Sequence, residues 1–184
     1  GVEAREHVGL IADNRLEWII ADMAVILAGA ADVPRGTDVT DGDITYILPH
    51  ADIKIVFVEN EAVVQKILKN KDKLPNLKKI ILLEKQAKVS GDILHLYDLI
   101  EKGKILRKGG DKKLEQRIRG IKKEDLFTLI YTSGTTGAPK GVMLTHSNVI
   151  SQINHIPVQF TPSDRMLSLL PVWHIFERTF EMVA

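Results

Sequence analysis

Residues 7–34 read "HVGLIADNRLEWIIADMAVILAGAADVP" and hold one strand–helix–strand pattern. His7 to Ala12 is a short apolar run of buried-strand length. Asn14 stands as the N-cap of a helix with Glu17 at its third position, the arrangement of a capping box. That helix runs through Trp18 and Ile26, with Trp18 read as core, and Gly29 offers its C-terminal stop. "ADVP" supplies the next short strand. The same alternation continues outward. Ile44, Ile47, Leu48 and Ala51 fall at helical spacing. Ile53 to Val58 is a strand by its β-branched content. Asn60 caps a helix whose apolar face is Val63, Val64, Ile67 and Leu68. Pro75 marks a turn before a strand over Lys79 to Leu83. Strands and helices joined by short connections predict an α/β fold, a mainly parallel sheet flanked by helices.

Composition narrows the chemistry. Lys plus Arg is 25 against 24 for Asp plus Glu, a net charge of +1, so no global field points to nucleic acid. The absence of cysteine excludes disulfides, thiolate metal sites and a Cys nucleophile, and fits a reducing, cytoplasmic setting. The longest greasy run, Trp18 to Ala30, is interrupted by Asp22. It falls short of the ~20 apolar residues of a membrane span. Lys104 to Lys123 is rich in Lys and Arg around Gly109-Gly110, but carries no aromatic to stack on a base, and reads as a solvated helix and linker. The chain opens on Gly1 and closes on an apolar-patterned run without a stop signal, which leads to the expectation of a piece of a longer protein.

The second half is dominated by "IYTSGTTGAPKGVMLTH", Ile130 to His146. Leu126 to Tyr131 is a buried strand feeding into it, and "VMLT" is a return strand. Gly134, Gly137 and Gly141 permit positive φ and close approach of a ligand to the backbone. Successive N–H groups can form an anion-binding nest. Thr132, Ser133, Thr135 and Thr136 add hydroxyls, and Lys140 a mobile cation. The nucleotidase P-loop, G-x-x-x-x-G-K-S/T, does not fit. Counting from Gly134, its second glycine falls on Pro139, Gly141 replaces the hydroxyl residue, and a strand follows where a helix should start. The kinase glycine pattern fails too. Beyond the loop, Ser147 or Asn148 starts a helix bearing Val149, Ile150, Ile153 and Ile156, ended by Pro157. "RMLSLLP" is read as a further strand, and a final helix starts at His174.

With these residues in place, "YTSGTTGAPKGVMLTH" closely resembles the signature loop of the adenylate-forming superfamily, which includes acyl-CoA synthetases, peptide-synthetase adenylation domains and luciferases. Residues 9–34 and "LSLLPVWHIFER" agree, so the resemblance spans nearly the whole chain apart from Lys104 to Arg119. The L-P-x-x-H-x-F-E-R form at Leu170–Arg178 is most similar to long-chain fatty acyl-CoA synthetases.

The resemblance implies ATP-dependent activation of a fatty carboxylate to an acyl-adenylate, then to an acyl-CoA, with pyrophosphate and AMP released. An aryl- or amino-acid-activating domain and a non-catalytic phosphate-binding module are the alternatives. ATP, magnesium, coenzyme A and a fatty acid are the implied small molecules. It further implies that Ser133, Gly134, Thr135, Thr136, Gly137 and Lys140 cradle the departing pyrophosphate, with Lys140 as the catalytic cation. Thr132 would touch both nucleotide and magnesium, and His174 would lie near the adenylate. His146 is read as structural. His174 and Glu177, three apart, lack partners for a metal site. The chain is expected to be part of an N-terminal AMP-binding domain (1–103 a first α/β segment, 104–125 a basic linker and helix, 126–184 the phosphate-loop segment). The family's later carboxylate motif and its small C-terminal domain are absent. The chain alone should therefore be inactive and self-associating. A peripheral membrane contact of the parent completes the expected partners.

Overall fold

A computed structural model describes residues 1–85, 93–132, 137–157, 161 and 163–182. Seven strands form one sheet: β1 (His7–Ile11), β2 (Ala31–Arg35), β3 (Ile55–Val58), β4 (Lys79–Leu82), β5 (Ile93–His95), β6 (Leu126–Thr132) and β7 (Lys140–Thr145). Their spatial order is β5-β4-β3-β1-β2-β6-β7. All neighbouring pairs are parallel except the β6–β7 hairpin. The α-helices are α1 (Leu16–Leu27), α2 (Asp41–His50), α3 (Glu61–Lys69), α4 (Leu96–Lys108), α5 (Lys113–Gly120), α6 (His146–Ile153) and α7 (Ile175–Glu181). The expected mainly parallel α/β sheet is what the chain forms.

Alternation along the strands makes two cores, because successive side chains point to opposite faces. Val8 and Leu10 of β1 and Phe57 of β3 pack with Trp18, Ala21 and Val25 of α1 and Leu96 of α4. Ile11, Val56 and Val58 pack with Ile44, Ile47 and Leu48 of α2 and Val63, Val64 and Ile67 of α3. The helices thus cover both faces of the sheet. Trp18 is fully buried, as expected. Gly9 is required by packing: a Cβ there would lie 2.8 Å from Val56 Cγ2.

Helix ends follow local chemistry. Gly29, at φ +74°, closes α1, with Ala30 N–H bonding Val25 O and Gly29 N–H bonding Ile26 O. Thr40 and Asp43 form a capping box on α2, and Asn60 caps α3. Among the described residues no helix is long and apolar enough to cross a membrane.

Four expectations need correction. Asn14 does not cap α1; Arg15 takes that position without a side-chain bond, because the Asn14 amide is engaged elsewhere. Glu17 closes no capping box and pairs with Arg15 and the Tyr97 hydroxyl, which hold its carboxyl down at about 2. Helix α6 starts at His146 under a Thr145–Asn148 capping box, one or two residues early, and Ile150 is exposed, as is Leu68 of α3. "RMLSLLP" forms no strand: Leu167 and Leu169 are each 74% exposed, and the segment has no ladder partner among the described residues.

Candidate active site

In a parallel sheet the loops at the carboxyl ends of the strands form the crevice where ligands bind. Here those loops follow Ile11, Arg35, Val58 and Thr132. The Ser/Gly/Thr loop is the last of them. Thr132 ends β6 and pairs with Lys140, the first residue of β7, so both side chains stand on one face at the mouth of the loop. Both are exposed, and Lys140 makes no ion pair among the described residues. Gly137 sits at φ +121°, which favours glycine. Ser133, Gly134, Thr135 and Thr136 lie outside the described residues. Gly141, expected to supply conformational freedom, instead lies within β7. A Cβ there would come 3.1 Å from Leu129 Cδ1 and 3.3 Å from Tyr131 Cζ, so its role is flat packing over β6.

The strand leading into the loop is held from two sides. Tyr131 is buried, and its hydroxyl pairs with His50 Nδ1 at 2.6 Å, beside Tyr46. Burial, then Tyr46, pushes its phenol upward. On the other side, Arg35 Nη1 donates to the Tyr131 carbonyl at 3.2 Å. This bond replaces a ladder. Pro34 has no N–H to donate, and β2 and β6 meet in register at a single pair, Asp32 with Thr128.

A second segment reaches the same end of the sheet. Asn14, following β1, donates to Leu170 O at 2.7 Å and Ser168 Oγ at 3.2 Å, and accepts from Val172 N at 2.9 Å. Gly36, following β2, makes room for Trp173, whose Nε1 lies 2.8 Å from the position of a glycine-replacing Cβ. His174 follows as the N-cap of α7, its Nδ1 accepting from Phe176 N at 3.3 Å. It is exposed at its ring, so capping and ligand contact are not exclusive. The Asn14 and Gly36 contacts therefore hold residues 168–173, with His174 next in the chain, at the carboxyl ends of β1 and β2, and β6, which ends at Thr132, is the next strand in the sheet.

Helix α7 is anchored by residues that sequence reading missed. Arg178 Nη2 donates to both Asp22 Oδ1 and Asp32 Oδ1, the latter at 2.8 Å, and Nε donates to Asp22 Oδ2 at 3.1 Å. Its guanidinium lies 4.3 Å from the Phe127 ring centroid and 5.5 Å from that of Trp18. All three charges are buried. Burial, reinforced by the Asp32 carboxylate, pushes Asp22 up to about 7. The available signal was three charged residues each set in an apolar run. His146 packs edge-on to Phe127 at 5.4 Å, and burial lowers its proton affinity. That packing fits the structural role expected of it. Beyond α7, a cavity of about 670 Å³ lies against Met143 of β7, Val149 and Gln152 of α6, and Phe176, Thr179 and Phe180 of α7. Among the described residues no group of three or more His, Cys, Asp or Glu could hold a metal.

Both the sequence and the fold have counterparts among known proteins. The model of the AMP-binding enzyme family matches residues 1–184. The chain belongs to the AMP-binding enzymes. It is 34% identical over 196 residues to the chloroplastic long-chain-fatty-acid–acyl-carrier-protein ligase AEE15 of Arabidopsis thaliana, covering 98% of this chain and 26% of that protein. It is 39% identical over 150 residues to the long-chain-fatty-acid–CoA ligase ACSBG2 of Xenopus laevis, covering 81% and 20%. This AMP-binding chain thus spans about a quarter of the length of such relatives. Its fold matches a red-emitting luciferase from Phrixothrix hirtus with a TM-score of 0.76 at 17% identity, covering 100% of this chain and 36% of that one. A long-chain-fatty-acid CoA ligase from Archaeoglobus fulgidus matches at 0.68 and 21% identity, covering 100% and 34%.

Proposed function

We propose that the parent of this AMP-binding chain activates a long-chain fatty carboxylate with ATP and passes the acyl group to the thiol of coenzyme A. The observation that carries the reading is the hairpin mouth, where Thr132 and Lys140 face each other across a loop of hydroxyls and glycines at the carboxyl end of a parallel strand. Attack of a carboxylate on the α-phosphate breaks the bond to pyrophosphate, and negative charge grows on the departing oxygens. A cation and N–H groups aimed at that charge lower the barrier. Lys140 is the cation, and the backbone of residues 133–137 the cradle. The thiol then attacks the acyl carbon of the adenylate, forming the thioester as the bond to AMP breaks and AMP leaves. The Thr132 hydroxyl would touch magnesium, which would take its remaining ligands from phosphate, water and a carboxylate elsewhere. His174, on its cap, borders the adenylate.

The fatty acid is favoured over aryl or amino acids by the relatives, both of which are named for long-chain fatty acids. The chain spans about a quarter of the length of such relatives, and in this reading it does not turn over by itself. Fatty-acid-dependent exchange of pyrophosphate into ATP by the parent, with none from the 184-residue chain, is the expected result. Exchange that depends on an aromatic or amino acid, or that this chain supports alone, overturns the respective part.

A further inference from the structure

The hairpin of α4 and α5 meets the core only through the first turns of α4. Leu96 of α4 is buried and Leu99 and Ile100 pack against the sheet, but residues 101–110 are exposed throughout. The last two turns of α4 therefore project beyond the body, turn at Gly110 (φ +82°), and return as α5, tied down by Arg117 to Val2 O and Glu3. This projecting surface is unusual in two ways at once. Residues 102–123 carry ten Lys and Arg against two acids, and one of those, Asp111, already caps the Lys113 N–H. Among the described residues Arg107, Lys108, Lys112, Lys113 and Arg119 have no ion-pair partner. Set among them are large aliphatics open to water: Ile105 is 69% exposed, Leu106 59%, Leu114 46% and Ile118 41%. Leu114 and Ile118, four apart, share one helix face.

We infer that the α4–α5 hairpin is a docking surface for an anionic phospholipid bilayer. Charge complementarity selects the occupant. Aliphatic side chains enter the headgroup boundary while Lys and Arg stems bend their charges to the phosphates. The negative surface potential of the bilayer neutralises the unpaired cations where they stand. A protein partner would instead have to desolvate them. A nucleic acid would leave the aliphatics in water, and residues 98–126 contain no aromatic for a base to stack on. The inference is independent of the ATP reading, since the hairpin contributes nothing to the Thr132–Lys140 mouth.

The test is cosedimentation of the chain with vesicles of phosphatidylcholine alone or mixed with phosphatidylglycerol. Binding to the mixed vesicles, weakened by salt and absent on pure phosphatidylcholine, is expected. Lys112→Ala/Lys113→Ala should lower the partition constant by roughly five-fold per lysine, and Ile105→Ser/Leu106→Ser should lower it as well. Both pairs are exposed, so an unchanged thermal midpoint verifies the fold. No binding to anionic vesicles, or binding that neither pair weakens, overturns the inference. So does retention on polyuridylate that falls with the lysine pair and ignores the aliphatic pair, which would mark a nucleic-acid surface.

Discussion

Arg178, near one end of the chain, is buried between Asp22 of α1 and Asp32 of β2 and bonded to both. One guanidinium against two carboxylates leaves a net negative charge in a buried site, unless one carboxyl keeps a proton. The contact fixes α7, and with it His174 and the Phe176–Phe180 wall of the cavity. Removing one partner of such a cluster leaves uncompensated buried charge. Arg178→Met should cost about 3–5 kcal/mol, measured from urea unfolding midpoints. A loss below 1 kcal/mol would show that α7 is held by its apolar face alone.

The same cluster sets a pH dependence. Asp22 is raised from 3.8 to about 7, so between those values the folded state holds a proton that the unfolded state has released. Stability from this group is complete below its unfolded value and is lost as pH rises towards 7. Asp32, raised by burial, adds the same sign. Glu17, lowered to about 2, works oppositely and only below its ordinary value of 4.5. Half-buried His146, lowered from its ordinary 6.5, opposes this trend in the same window. The Asp22 contribution, read as the difference between the unsubstituted chain and Asp22→Asn, which stays neutral, should therefore fall by about 2 kcal/mol between pH 5 and 7. An equal slope in the variant would contradict the assignment.

Gly36 tests the seating of Trp173. A methyl there would meet Trp173 Nε1 at 2.8 Å, Asp38 Oδ1 at 2.9 Å and Asp13 Oδ1 at 3.1 Å. Gly36→Ala should shift the Trp173 indole N–H resonance, leave that of Trp18 in place, and cost about 1–3 kcal/mol. An unmoved Trp173 resonance would place that ring elsewhere.

The β7 edge should make the isolated chain associate. Its outer side has no ladder partner among the described residues, Met143 is 67% exposed and Val142 44%. Sedimentation velocity should show a concentration-dependent dimer, reduced by Met143→Glu. A monomer at all concentrations would show that edge to be protected.

Much of this was legible in the sequence because periodicity reports burial. Val8, Leu10, Val56 and Val58 alternate, Ile44, Ile47 and Leu48 recur at helical spacing, and both cores follow from that. The loop was legible because three glycines and a lysine follow a buried strand. Long-range side-chain bonds were not. Asn14 looks like a cap from local spacing, yet its amide is engaged by residues 168–172, more than 150 positions away. "RMLSLLP" has strand composition, but a strand needs a neighbour, and composition does not supply one. Asp22, Asp32 and Arg178 could be noticed singly as charges in apolar runs; only folding joins them.

The central claim is that Lys140 meets the phosphates of ATP. Titration calorimetry of ATP into the chain and its Lys140→Ala variant tests it most directly. Weak binding by the unsubstituted chain, reduced by about 1.5–3 kcal/mol in the variant as for the loss of a charge-assisted bond, is predicted. Equal affinity in the two proteins would contradict it.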